Sequence, residues 1–134
     1  MTPVPSFTPI VPARVPPPAD LISFLRKQLE YEEPVEVQEI DLNNDGVPEL
    51  LAKYSRCGSG GCMIHLFQRS GNGFKELSGS LLNNLFASLN DDRYGSFTAG
   101  PHSTNGYLDL RYRFKIGGKT VKFQFDGQSY RGVQ

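Results

Sequence analysis

Oxygen-bearing side chains recur at alternate positions in one short stretch of the chain, "DLNNDGVPE", residues 41–49. Asp41, Asn43 and Asp45 offer side-chain oxygens at the first, third and fifth places of a loop. Gly46 permits a sharp turn, Val47 has a carbonyl to offer, and Glu49 stands at the ninth place. Calcium gathers about 6–8 hard oxygen ligands around itself, and alternate residues of a looping backbone deliver them to one point. An EF-hand is excluded: its bidentate Glu belongs at the twelfth place, where Ala52 stands, and the flanks here read as strands rather than helices. "NNDG" also suits a plain hairpin turn, because Asn, Asp and Gly tolerate positive φ and bond their own backbone. Both readings stay open on sequence alone. Ligands closed around a single turn leave no open position for a substrate, so an ion held there would be structural.

A second chemical feature follows at once in "CGSGGC". Cys57 and Cys62 enclose four residues, three of them glycine, so the backbone can curl tightly enough to bring the sulfurs together. A disulfide closing so short a loop stabilises by only about 2 kcal/mol in the chain-entropy account, so it pins a hairpin end without creating the fold. Such a bond persists in an oxidising compartment, which points to a bacterial periplasm or the cell exterior. Zinc is a poorer fit to Cys57, Cys62, His65 and His102, because structural sites space their histidines closely and these two are far apart in the chain. A thiol nucleophile based on Cys62 and His65 is disfavoured too, since residues three apart on a strand point to opposite faces. The glycine loop lacks the Lys-Ser/Thr ending of a phosphate cradle. Asp91 and Asp92 read as solvated surface, and no Ser, His and acid grouping stands out.

"DLNNDGVPELL" resembles the D-x-[DN]-x-D-G loops of FG-GAP and VCBS-type β proteins. Its pairing with "CGSGGC" resembles small exported bacterial proteins of largely uncharacterised function. The likeness covers residues 39–67 well and extends weakly to "NGYLDLRY" and "FDGQSY". It implies that Asp41, Asn43, Asp45 and Glu49 are calcium ligands or their degenerate relics. Asn43 and Glu49 depart from the more usual Asp at those places.

These residues need elements to position them. A chain of 134 residues suits one domain with one core. Residues 1–18 hold seven of the ten prolines and read as a flexible tail ahead of a β-rich domain over 19–134. Met1 followed by "TPVPSFTPIVPARVPPP" reads as a mature exported chain whose leader was replaced by a start Met. Asp20 caps a helix in which Leu21, Ile22, Leu25 and Leu29 share a face, and Pro34 prevents its continuation. Period-two patterning then predicts four consecutive strands, with a bulge near Gln38 to reconcile Val37 with Ile40 and Leu42. Leu81, Leu82, Leu85, Phe86 and Leu89 predict a second short helix. Residues 90–106 read as a polar loop with one short strand near Phe97.

The C-terminal third alternates most clearly. Leu108, Leu110, Tyr112, Phe114 and Ile116 fall on one face, Asp109, Arg111, Arg113 and Lys115 on the other, and Gly117-Gly118 turns into Val121, Phe123 and Phe125. The expected class is α+β, mainly β: an antiparallel sheet of six to eight strands, half-buried on one face, with one or two short helices.

Fourteen acidic and fourteen basic side chains cancel, leaving no net field to concentrate nucleic acid or anionic lipid. No apolar run approaches the roughly 20 residues that span a bilayer as a helix. The functional expectation is an exported, non-enzymatic domain that binds another protein, for instance an inhibitor or immunity protein against a secreted cell-wall hydrolase or toxin. Candidate contacts are Ser59 in the glycine loop, Tyr94, Phe97 and His102 in the polar loop, and Arg111 and Arg113 on the basic strand face. A calcium-stabilised adhesion or carbohydrate-binding module, and an undetected hydrolase, are the alternatives.

Overall fold

The computed structural model describes residues 10–28, 34–58, 61–78, 95–114 and 117–133. The expected second helix at 81–89, together with Ser59 and Tyr94, lies outside the described residues. Along the chain run β1 (Ala13–Val15), α1 (Ala19–Gln28), β2 (Pro34–Ile40), β3 (Glu49–Gly58), β4 (Gly61–Ser70), β5 (Gly73–Glu76), β6 (Gly95–Thr104), β7 (Tyr107–Phe114), β8 (Thr120–Phe125) and β9 (Tyr130–Val133). The mainly β, antiparallel character holds. A single sheet of six to eight strands does not: β1 to β5 form one five-stranded sheet and β6 to β9 form a separate sheet of four.

The reason lies in how the first sheet is buried. Ile40, Leu51, Ile64 and Leu66 face the second sheet and join Phe97, Leu110, Tyr112, Phe123 and Tyr130 in one apolar cluster. The intervening Val37, Leu50, Ala52 and Phe67 face the other way and pack under Leu21 and Leu25 of α1. Helix, sheet and sheet therefore stack as three layers. Val37 and Ile40 sit on opposite faces that are both buried, so no bulge at Gln38 is needed. The one shift in this ladder falls between Pro34 and Glu36.

The helix is fastened at its start. Pro18 O accepts Ile22 N–H at 3.1 Å and Asp20 Oδ1 accepts Leu21 N–H at 3.0 Å. Asp20 in the first turn and Arg26 and Lys27 in the last complement the helix dipole. Arg69 of β4 pairs with Asp20 and lies 5.1 Å from the Phe74 ring centroid, while Phe24 packs edge-on to Phe67 at 6.1 Å.

The proline-rich segment differs from a spacer over its described part. Residues 13–15 pair with 37–39, and Ile10 exchanges both backbone hydrogen bonds with Ala99, at 2.7 and 2.8 Å. One short segment thus ties the two sheets together. Pro12 and Pro16 flank an edge strand of three residues, the place where a sheet tolerates missing donors. The expected polar loop at 90–106 also differs: 95–104 is strand, paired with β7 and shifted in register between Ala99 and Ser103. The C-terminal strands follow the alternation, and Gly117 and Gly118 both adopt positive φ, 85° and 66°.

Candidate metal centre

Residues 41–48 connect β2 to β3 across the Ile40↔Glu49 pair. Asn44 (φ 58°) and Gly46 (φ 85°) take left-handed conformations, which turn the chain sharply enough to bring its ends together. Asp41 closes the turn by accepting Asp45 N–H at 3.3 Å on one oxygen and Gly46 N–H at 2.9 Å on the other. Asp45 accepts Val47 N–H at 2.9 Å and the Asn43 amide at 3.2 Å. Glu49 Oε1 accepts Leu42 N–H at 2.7 Å.

The outcome is convergence. One carboxylate oxygen each from Asp41, Asp45 and Glu49 lies within 4.8 Å of the others. Two oxygens on a single calcium ion stand at most about 5 Å apart, twice the 2.3–2.6 Å bond, so this spacing matches the diameter of one coordination sphere. Asn43 Oδ1 is shielded from solvent and has no hydrogen-bond partner. A shielded amide oxygen left bare wants a cation or a donor, and its residue, whose amide nitrogen donates to Asp45, occupies the third ligand place. The donor set, all hard oxygen, fits calcium and not a thiophilic metal. Val47 is exposed, with its N–H committed to Asp45.

Electrostatics point the same way. Among the described residues no Lys or Arg side chain pairs with Asp41, Asp45 or Glu49. Glu49 is 1 % exposed, and its carboxyl is pushed up to about 7. Burial is the main cause; the Leu42 N–H opposes it, and the charges of Asp45 and Asp41 add to it. Were these residues to hold calcium, the ion would supply charge neutralisation and rigidity at the turn.

The other sequence-predicted residues scatter. Phe97, at 2 % exposure, belongs to the inter-sheet core and not to a partner-facing surface. His102 is exposed on β6, whereas His65 is buried on the helix side of the first sheet, 3.2 Å from Glu76 and stacked near Phe67. His65 faces the helix, away from the second sheet that carries His102, so the two histidines of the zinc reading are not brought together. The register pairs Cys57 with Cys62 and Gly58 with Gly61 across β3 and β4; the cysteine side chains lie outside the described residues. Arg111 and Arg113 project from the outer face of the second sheet, opposite Lys122 and Thr120 respectively. Among the described residues neither arginine has an acidic partner.

Asp109 escaped sequence reasoning. It falls on the polar side of β7 by period, yet it is 1 % exposed, held by Thr104 at 2.7 Å, Gln124 at 3.3 Å and Lys122 at 3.6 Å. Its partners come from β6 and β8, so no local signal announces its burial.

Fold and loop together define a mainly β protein whose two packed sheets carry an acidic, oxygen-lined turn at their rim. No family model, curated protein or solved structure matches the chain.

Proposed function

We propose that this chain is a calcium-stabilised, exported domain that works by binding another protein, with no chemistry of its own. The observation that carries the cation half is the meeting of Asp41, Asp45 and Glu49 oxygens within 4.8 Å, beside an Asn43 amide that donates to Asp45 and whose shielded oxygen has no hydrogen-bond partner among the described residues. The binding half is supported by the outer face of the second sheet, where Arg111 and Arg113 have no acidic partner among the described residues although the chain is neutral as a whole. On that face Lys122 is paired with Asp109, and the two arginines beside it suit a partner with a complementary acidic surface. A secreted hydrolase or toxin is the partner class that fits a small exported inhibitor or immunity protein.

The compartment is supported by the β3–β4 register. Directly paired residues of antiparallel strands have α-carbons about 4.5–5.5 Å apart, inside the roughly 4.4–6.8 Å window of a disulfide. Cys57 and Cys62 are such a pair. A disulfide there requires an oxidising environment.

Affinity capture from periplasmic extract and from a panel of secreted hydrolases tests the binding role, with wild type compared against the Arg111→Glu, Arg113→Glu double variant. The proposal predicts a discrete partner held by the wild type and lost with the variant. Capture of nothing, or of the same proteins by both, would overturn it.

A further inference from the structure

We propose that Gln68 and Tyr107 are positioning residues for the cation loop, holding Glu49 so that filling the loop and docking the β6–β7 hairpin onto the first sheet become one event. The inference rests on the cation-binding reading above. Its basis is a circuit of hydrogen bonds that leaves the loop, crosses to the second sheet and returns.

Glu49 opens β3, and the register that pairs Leu50 with Phe67 sets Gln68 directly across from it, on the face that meets the second sheet. The Gln68 amide favours the charged form of Glu49. The same amide donates to Tyr107 Oη at 2.6 Å, so one side chain addresses the loop carboxylate and the second sheet together. Tyr107 is the first residue of β7, and its neighbour Leu108 donates its N–H to Leu42 O at 2.7 Å. Leu42 closes the circuit, since its own N–H is the donor to Glu49. Tyr130 Oη donates to Leu108 O at 2.7 Å and fixes the returning strand from its far side.

Every member is buried or half-buried, so water competes weakly for these bonds and displacement of one is felt by the rest. A cation drawing Glu49 toward Asp41 and Asp45 would pull on both routes to the second sheet, through Gln68 and through Leu42. By linkage, loosening the Tyr107 end must weaken the cation. The exposed tip of the hairpin, Asn105 and Gly106, would then be presented differently in the loaded and metal-free protein.

Calcium titration calorimetry on wild type, Tyr107→Phe and Gln68→Met, with amide hydrogen exchange at Leu108, tests this. Wild type is expected to bind, and Leu108 exchange to slow on loading. Each variant is expected to bind about ten-fold or more weakly, the usual consequence of losing an outer-shell partner, and Tyr107→Phe should lose the slowing at Leu108. Use of two variants at opposite ends of one hydrogen bond covers a folding defect in either. Wild type that binds while both variants bind as tightly would overturn the roles of Gln68 and Tyr107 and leave the cation loop standing. Wild type that binds no calcium would overturn both.

Discussion

Two Asp-Gly turns join strands in this chain, and their carboxylates end up in opposite circumstances. At 126–129, Asp126 Oδ1 accepts Gln128 and Ser129 N–H groups, both at 2.8 Å, and its other oxygen pairs with Arg131. Those backbone donors, with Arg131 assisting, hold its carboxyl below the usual range. At 41–49, Asp45 makes the same kind of bond to Val47 N–H, but Asp41 and Glu49 crowd in beside it and no basic side chain among the described residues arrives. Turn chemistry is common to both. Charge balance separates them: one turn is complete in itself, and the other has no positive charge beside it among the described residues.

That contrast can be broken most forcefully at Asp45. A ligand at a hundred times its dissociation constant adds about 3 kcal/mol to the stability of the state that binds it. Denaturant unfolding of wild type with calcium should show a gain of that order over chelator, and Asp45→Ala should show none. Asp126→Ala should keep the whole gain.

The pH dependence of the metal-free protein should separate the turns by sign. Glu49 has a folded value near 7 against about 4.5 unfolded, so its burial is harmless below the lower value and destabilising as pH rises through the upper one. Glu49→Gln in chelator should therefore be more stable than wild type above pH 7, by roughly 2–3 kcal/mol, and should lose that advantage in acid. Asp126, with its value depressed, stabilises above the ordinary carboxylate range and ceases to as pH falls. Urea midpoints taken across pH would read both.

A third contrast concerns hairpins. Reduction of the disulfide proposed for Cys57 and Cys62 should cost about 2 kcal/mol, whereas the β7–β8 hairpin, turned by Gly117 and Gly118, should be indifferent to reductant. Thermal melts with and without dithiothreitol check it. The smallest effect is the fall in melting temperature expected for Asp126→Ala itself, which calcium should not reverse.

The loop was legible because its signal is local: the alternation of Asp41, Asn43 and Asp45 is the same in sequence and in space, and Glu49 returns to them across one hairpin. β7 and β8 were legible because one face meets the core and the other is polar. The first sheet was harder. Buried on both faces, it shows "LLA" at 50–52 where a half-buried strand would alternate, so sequence does not say that a second sheet and a helix cover it. β6 was read mostly as loop because Gly100, at φ 81°, and the shift after Ala99 interrupt its period. Prolines at 12 and 16–18 hid the short strand between them. Tyr107 and Gln68 carry no local mark at all, since their meaning comes from a contact 39 residues apart in the chain.

Calorimetric titration of calcium into chelator-treated wild-type protein at neutral pH tests the central claim most directly. The account predicts one ion per chain, with saturation at or below roughly millimolar calcium, the range of extracellular sites, and a raised melting temperature that Asp45→Ala abolishes. Absence of heat at that concentration, with identical melting in calcium and in chelator, would contradict it and reduce the loop to an ordinary turn.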